Sequence, residues 1–388
     1  MCSTVRYLNE LSVFDKIVLK LRQLKGVGNI SLWKVVSRIE VKDGDIQECK
    51  KKLIETIEGT VDLKSQTQFS AMISMLRDID NESLENSLIS GHKLLEEFDS
   101  TAWFYRRYGL EYPDRLLLMD TPPVLVNGIG KVFNKGIKVG IVGTRQVSEY
   151  GTKIVSLIIN ILKQFKCVIH TGLADGVDWL VFEECLLSNV PFCGVIPWAL
   201  SNIPVYKRSP VVTAIKSGAG FIISEYDGKD EIYNGRFLYR NEILASLVDV
   251  LIVVEAPVGS GTLNTVGHAL KMDKIVGVFP GSIFSGSSRG CNMTLADKRV
   301  FMLYSLEVVT DLLLNLGSKK QKQKTVESIK GVAGINRKVI DEVNNGKSNI
   351  NEIADSSGLS VANIGSVLTK LELEGIVKTD KLGNIKLL

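Results

Sequence analysis

The chain has 388 residues, of which 45% are hydrophobic and 23% are charged, and its formal net charge is +4. This length allows two or three domains with separate cores, and the composition excludes a disordered or fibrous protein. No apolar run approaches the roughly 20 residues of a membrane span, and the N-terminus lacks the apolar core of a secretory signal. We therefore expect a cytoplasmic protein with no membrane partner.

The six cysteines and three histidines are scattered along the chain. Their spacing fits neither a disulfide framework nor a zinc site. We expect neither a metal ion nor a cofactor. The mildly basic net charge permits a phosphate-bearing partner without requiring one.

The first 125 residues are predicted to form an N-terminal helical domain. Apolar side chains recur there at helical spacing, at Leu8, Leu11, Phe14, Ile17, Val18 and Leu21. The turn that follows, Gly26-x-Gly28, is typical of a helix-hairpin-helix, which offers backbone amides to a DNA phosphate. An ordinary tight turn between two helices has the same pattern and is the alternative.

Strands and helices alternate across residues 126–305. Apolar strands are predicted at 137–142, 166–170, 191–196, 219–224, 248–254 and 275–279. Strands that are apolar throughout and separated by helices indicate a parallel sheet covered on both faces. The predicted class is α/β, a doubly wound Rossmann-like parallel sheet domain.

The C-terminal part has a different pattern. The lysine-rich stretch "GSKKQKQKTVESIKG" predicts a linker over residues 306–330. Residues 331–388 then contain three short helical patterns and two β-rich segments around a Gly-Asn turn. This order predicts a C-terminal winged-helix domain.

Loops at the carboxyl ends of parallel strands are candidate sites, because open sheets of this class bind ligands there. The first such loop, in "VGIVGTRQVSEYG", contains Gly143, Thr144 and Arg145 and leads into a helix whose N-terminus offers free amides. A guanidinium is a planar fork suited to a phosphate. The loop predicts a phosphate cradle, and the alternative is a plain turn with a surface arginine.

A second potential anion cradle follows the fifth strand, in "VEAPVGSGTLNT", where Ser260, Gly261 and Thr262 open the next helix. The loop "TGLADGVD" carries Asp175 and Asp178 instead of a basic residue. Asp178 is predicted either to cap its helix or to brace the first loop.

Further cations and amides come from separate segments that a doubly wound fold can bring together: Lys207, Arg208, Arg240, Asn241, Arg289 and Asn292. Solvated surface charges are the alternative for each of them. Phe237 and Tyr239 flank Arg240 and are predicted either to stack on a nucleobase or to pack in the core.

Motifs of a catalytic site are missing from the sequence. It has no Gly-x-Ser-x-Gly, no His-Glu-x-x-His and no Walker lysine, so we expect no enzyme. The segment "PVGSGTL" resembles a loop of lysine-decarboxylase-like nucleotide phosphoribohydrolases, which leaves a nucleotide-binding or nucleotide-processing enzyme as an alternative. That chemistry needs carboxylates directly after the loop, where this chain has Asn264 and Thr265.

The chain resembles the DprA/Smf family of DNA-processing proteins along almost its whole length. The motifs that carry the resemblance occur in the family's order: "EYPDRLLLMDTPPVLVNGIG", "VGIVGTR", "GFIISEY", the Arg240-Asn241 pair, "GSGTLNT", "VFPGSIFSGSSRGCN" and "LTKLELEGIVK". The resemblance implies a protein that binds and protects single-stranded DNA and loads a RecA-type recombinase, usually during natural transformation. It also implies a homodimer formed through the Rossmann-like domain, and a phosphate held by Arg145 beside the amides of Gly143 and Thr144.

Several positions depart from the family pattern. Asp175 stands where the family usually has arginine, Phe182 replaces a histidine, Glu242 replaces a second arginine, and Tyr206-Lys207-Arg208 replaces Tyr-Pro-x-x-Asn. These departures indicate a diverged member, so a role in plasmid or phage defence, or in regulation, is the alternative. Transcription control through the winged helix is a further alternative, although its helix at 361–374 is less basic than recognition helices usually are.

Overall fold

The computed structural model describes residues 12–24, 26–39, 44–59, 66–84, 98, 102–106, 112–226, 234–316, 335–373, 377–380 and 383–387. The chain divides into two compact units, Met1–Val308 and Val309–Leu388, and each is described by itself. Across the described ranges, no helix is both long enough and apolar enough to cross a membrane. The predicted linker begins in a helix at 306–316, and its remainder, 317–330, lies outside the described residues.

The described N-terminal residues form helices α1 (Val13–Arg22), α2 (Asn29–Val36), α3 (Ile46–Glu58) and α4 (Gln66–Asp78), followed by a helical turn at 81–84. Ser12 and Asp15 form a capping box at the start of α1, in which each side chain accepts a hydrogen bond from the other's backbone N–H. The apolar faces of these helices enclose a core that contains Ile17, Leu21, Leu32, Leu53, Met72 and Leu76. Leu8 and Leu11, used to predict the first helix, lie outside the described residues.

Strand β1 (Ala102–Arg106) lies within the stretch that we expected to be helical. It pairs antiparallel with β2 (Leu125–Gly130), so that Phe104 lies opposite Asn127. Its sequence, Ala-Trp-Phe-Tyr-Arg, is rich in the aromatic residues that favour strands. This segment therefore extends the sheet instead of the helical domain.

The sheet contains β1, β2 and a run of parallel strands: β3 (Ile137–Val142), β4 (Cys167–Thr171), β5 (Phe192–Val195), β6 (Gly220–Ser224), β7 (Val250–Val253), β8 (Ile275–Val278) and β9 (Val300–Met302). The strand order is β1-β2-β6-β5-β4-β3-β7-β8-β9. The seven strands from β3 to β9 in chain order all pair parallel with their neighbours among them. The strands β4 to β7 are buried at every residue, as their unbroken apolar sequences predict. The predicted α/β class, with a mostly parallel sheet, is confirmed.

The chain changes direction between β3 and β7, which are neighbours in the sheet. From β3 it proceeds to β4, β5 and β6 on one side, and from β7 to β8 and β9 on the other. The loops after β3 and β7 therefore diverge and leave a crevice at the carboxyl edge. The helices of this region are α5 (Glu149–Leu162), α6 (Val177–Ser188), α7 (Val205–Lys216), α8 (Asn234–Leu247), α9 (Gly261–Lys271), α10 (Arg289–Thr294) and α11 (306–316), with 3₁₀ turns at Asp114–Leu118 and Leu200–Asn202.

The second unit contains helices α12 (Ile335–Asn344), α13 (Ile350–Ser357) and α14 (Val361–Leu373), and a hairpin of β10 (Val377–Thr379) and β11 (Ile385–Leu387). The hairpin is antiparallel, with Lys378 opposite Lys386. Gly358 ends α13 in the left-handed region at φ +70°, which a glycine adopts without strain. The unit has its own core, which includes Val339, Ile340, Ile353, Ile364, Leu371 and Ile385.

Candidate nucleic-acid interface

A cavity of about 580 Å³ lies in the crevice at the carboxyl edge. Its walls come from the loops after β3, β4 and β7 and from helix α8. The structure brings eight of the twelve candidate residues to it: Gly143, Thr144, Arg145, Arg240, Asn241, Ser260, Gly261 and Thr262. Together with Ala174 and Asp178, residues from four separate segments thus line one cavity.

Two loops of this site approach each other through their backbones. Gly176 has φ +81°, and a Cβ added there would lie 2.3 Å from the carbonyl oxygen of Thr144. A Cβ on Gly143 would lie 2.6 Å from a methyl group of Val177, whose backbone N–H donates to Thr144 O at 3.0 Å. The glycines of "GTR" and "ADG" are therefore required for close packing of the first loop on the second.

The N-terminus of α5, which the sequence predicts to offer free amides, is occupied by the protein's own side chains. Ser148 caps the helix by accepting from the Gly151 N–H at 3.2 Å. The buried Glu255 carboxylate accepts from the Ser148 N–H at 3.0 Å and the Ser148 hydroxyl at 2.8 Å. Because a carboxylate already lies at this positive helix end, a phosphate would have to compete with it. Glu255 was not among the predicted site residues, although a carboxylate directly after an apolar strand is a recognisable signal.

The N-terminus of α9 is open. Ser260 occupies the N-cap position without a side-chain cap, and the first turn has no acidic residue. The buried hydroxyl of Ser260 has no hydrogen-bond partner among the described residues. Thr262 Oγ1 donates to Gly143 O at 2.9 Å and ties this helix end to the first loop. Free amides, a positive helix end and an unpartnered hydroxyl form an arrangement that suits an anion.

The two arginines of the cavity have different environments. Arg145 is exposed, its Cζ lies 5.6 Å from the centroid of the Phe237 ring, and within the described ranges no hydrogen bond or salt bridge engages its guanidinium. Arg240 is buried and donates through Nη1 to Gly172 O and, at 2.8 Å, to Val195 O. Burial lowers the pKa of Arg240. Arg145 is available to a ligand, whereas Arg240 is part of the protein's internal structure.

Asp178 is the acidic partner of Arg240 in this buried network. Its Oδ2 accepts from the Gly172 N–H at 3.2 Å, and a Cβ on Gly172 would lie 2.4 Å from Arg240 Nη1 and 2.5 Å from Asp178 Oδ2. Burial raises the pKa of Asp178, and the positive charge of Arg240 opposes that rise. Asp178 also engages the backbone of Gly143 in the first loop, so its contacts include those of the predicted brace as well as contacts within the loop after β4.

The two aromatic candidates are placed differently. Phe237 lines the cavity, and the Tyr239 side chain packs against the apolar core. The Tyr239 hydroxyl donates to Thr121 O and accepts from Asn29 Nδ2 at 2.8 Å, which links α8 to α2. Phe237 is thus the aromatic ring that a ligand in the cavity would meet.

The sequence model of the family described as DNA recombination-mediator protein A matches residues 104–313. This segment covers more than half of the chain and contains the whole cavity. The chain belongs to this family.

Individual relatives agree with this assignment. The chain is 23% identical to Protein Smf of Synechocystis over 92% of its length and 95% of that protein's. It is 30% identical to DNA processing protein DprA of Bacillus subtilis. That match covers 46% of this chain and 61% of the relative, so it spans less than two thirds of the relative's length. The X-ray structure of DNA processing protein A from Streptococcus pneumoniae shares the fold, with a TM-score of 0.59 at 24% identity, covering 76% of this chain and 95% of the other.

Two of the departures from the DprA/Smf pattern, Asp175 and Phe182, have local structural explanations. Asp175 pairs with Lys207, whose Nζ lies 2.8 Å from Asp175 Oδ1 and donates to Leu173 O at 2.6 Å. This hydrogen bond from Lys207 lowers the pKa of Asp175. Phe182 is fully buried against Trp179 and Phe192, with ring centroids 4.9 and 5.0 Å away.

Four candidate residues do not line the cavity. Lys207 is buried in its ion pair, and Arg208 donates through Nη2 to Ile203 O at 3.2 Å. Asn292 bonds both the N–H and the carbonyl of Gly281. Arg289 is exposed at the start of α10.

The described residues contain no group of three or more His, Cys, Asp or Glu side chains arranged to hold a metal ion.

Proposed function

We propose that this protein binds single-stranded DNA at the carboxyl edge of its sheet. The observation that carries the proposal is the open N-terminus of α9, with the unpartnered Ser260 hydroxyl, in one cavity with the available guanidinium of Arg145. Helix N-termini and exposed arginines both favour phosphate. Gly143, Thr144, Gly261 and Thr262 then shape the cradle, and Arg240 and Asn241 hold its wall.

A single strand fits this arrangement better than a duplex. Phe237 lines the same cavity as the phosphate-binding groups, and a nucleobase can stack on its ring only when the base is unpaired and accessible. Arg145 Cζ lies over the Phe237 ring at 5.6 Å from its centroid, so the cation and the ring are in contact with each other. We infer that the strand's phosphate contacts Arg145 while an adjacent base contacts Phe237.

Salt dependence tests this proposal. In fluorescence-anisotropy titrations of the full chain, the logarithm of the affinity for a single-stranded oligonucleotide should fall linearly with the logarithm of salt concentration. The expected slope is about −0.7 per phosphate neutralised, because binding releases condensed counterions. Affinity that does not change with salt, or a preference for the matched duplex, would contradict the proposal.

The wider role that we propose follows the DprA/Smf family: protection of single-stranded DNA and its delivery to a RecA-type recombinase in the cytoplasm. The sheet domain, 126–305 with the added strand β1, would be the DNA-binding part, the earlier residues an accessory helical domain, and 331–388 a winged-helix domain beyond α11 and the predicted linker. Exposed apolar side chains on and after the edge strand β9, at Phe301, Met302 and Tyr304, support a homodimer formed through the sheet domain. Natural transformation and a role in plasmid or phage defence remain alternative settings.

We further propose that the cavity performs no nucleotide hydrolysis. At the positions where a phosphoribohydrolase needs carboxylates, Thr265 Oγ1 donates to Gly261 O and the Asn264 amide lies 3.2 Å from His268 Nε2. Neither group stabilises a ribosyl cation by charge. Incubation with nucleoside monophosphates should release no free base, as measured by chromatography. Sustained release that is lost on substitution of Asn264 would refute this prediction.

A further inference from the structure

A cluster beside the cavity is left unused by the proposed phosphate contacts. It consists of Asp175, Trp179, Tyr206 and Lys207, and is called the Lys207 cluster below. Lys207 Nζ, on a side chain only 3% exposed, lies 4.9 Å from the centroid of the Trp179 ring and 5.5 Å from that of Tyr206. A buried ammonium thus holds an ion pair and two aromatic rings together.

Tyr206 presents its ring to solvent from this cluster. It is 68% exposed, although it is the second residue of an α-helix and its hydroxyl donates to Asp175 Oδ1 at 3.4 Å. Because the ammonium of Lys207 is buried, it lies on the inner side of the Tyr206 ring and leaves the outer side open. The ring is therefore held in place before any ligand arrives, so stacking on it costs little additional side-chain entropy.

The Lys207 cluster interacts electrostatically with Arg145 of the proposed phosphate site. The pKa of Asp175 is lowered mainly by Lys207, and the hydroxyl of Tyr206 and the charge of Arg145 lower it further. Ala174, which directly precedes Asp175, lines the cavity together with Arg145. Arg145 lies over the Phe237 ring of α8, and its charge also acts on the Tyr206 hydroxyl of α7.

The charges around Tyr206 suit a polyanion. Asp175 is the nearby carboxylate, and Lys207 and the Tyr206 hydroxyl both engage its Oδ1. A second carboxylate, that of Glu183, lies at the Trp179 end of the cluster, where it accepts from the indole Nε1 at 2.9 Å. The positive charge of Arg145 acts on both Asp175 and Tyr206. A strand of DNA therefore meets little repulsion between the phosphate site and the ring.

We propose that the outer face of Tyr206 is a second stacking site, for a nucleobase of the same single strand whose phosphate contacts Arg145. The inference rests on the proposed function and extends it from one base to two. Stacking tolerates any base, because every base has a π face. The site would lengthen the bound segment without adding sequence preference.

Two single-stranded probes of equal length test the proposal on the full chain: a normal oligonucleotide, and a strand of the same phosphodiester backbone with every base removed. Tyr206→Ala should weaken binding of the normal strand about five- to hundredfold, the measured range for loss of one base–aromatic stack. It should leave binding of the abasic strand unchanged. Tyr206→Phe keeps the ring but loses the hydrogen bond to Asp175 Oδ1, so it should retain most of the affinity for the normal strand and bind the abasic strand as the unsubstituted chain does.

Val205→Ala is the matched control, since Val205 is the preceding residue, is 79% exposed and has no ring. It should change neither affinity. An equal loss on both strands with Tyr206→Ala would overturn the stacking site, because the residue would then act on phosphate binding. No loss on either strand would overturn it as well and would leave the exposed ring to a protein partner. Failure of the proposed function itself is distinguishable, because the unsubstituted chain would then not bind the abasic strand in a salt-dependent way.

Discussion

Arg145→Ala should weaken binding of single-stranded DNA about ten- to hundredfold. The substitution removes a charge-assisted contact to phosphate worth about 1.5–3 kcal/mol. Arg145 is exposed and forms no hydrogen bond or salt bridge with the described residues, so its loss should barely change the melting temperature. Anisotropy titrations with several unrelated sequences should show the same loss, because a phosphate contact carries no base information.

Two further variants distinguish the effect of the Arg145 guanidinium from the effect of positive charge in general. Arg145→Lys should recover only part of the affinity, because an ammonium keeps the charge but lacks the planar fork. Lys153→Ala removes a positive charge from the exposed surface of α5, away from the cavity lining, and should have a much smaller effect. A variant Arg145→Ala that melts several degrees lower yet binds DNA normally would show that Arg145 braces the loops instead.

Arg240→Met should destabilise the protein by about 3–5 kcal/mol, the usual cost of leaving one partner of a buried charge pair without the other. It leaves the carbonyls of Gly172 and Val195 without their donor and Asp178 without its nearby cation. Thermal melting of the full chain should show a transition several degrees lower. Arg208→Met is the matched control: its guanidinium donates to Ile203 O from a partly buried side chain, so we expect a loss of about 1 kcal/mol.

A second substitution tests the cause of that instability. Asp178→Asn in the Arg240→Met background should restore part of the lost stability, because it removes the buried negative charge. If Arg240→Met melts like the unsubstituted chain but binds DNA poorly, Arg240 is a direct phosphate contact, and the interpretation of the buried network is wrong.

The local pattern of the chain was sufficient to locate the sheet and the cavity. Apolar strands separated by helices predicted the parallel sheet, and strands lie at Ile137–Val142, Cys167–Thr171 and Val250–Val253. The loops that follow these strands carry the glycines that permit close backbone approach, as at Gly143 and Gly176. These features can be predicted from the sequence because hydrophobic periodicity and the backbone freedom of glycine depend only on residues close together in the chain. Strands β1, β2 and β9 were not predicted, and all three are short segments outside the regular alternation of apolar strands and helices.

The role of each charged group was decided only by the tertiary structure. Arg145 and Arg240 are equally plausible phosphate ligands in the sequence, yet Arg240 bonds a carbonyl 68 residues away and Arg145 remains exposed. Likewise, Glu255 occupies the N-terminus of α5 by contacting Ser148, 107 residues earlier, which leaves α9 as the open helix end. Whether a charge is available to a ligand depends on burial and on partners distant in sequence. The sequence by itself determined the edge of the sheet at which the cavity lies, and long-range packing decided which of the candidate residues reach it and which of those are free to bind.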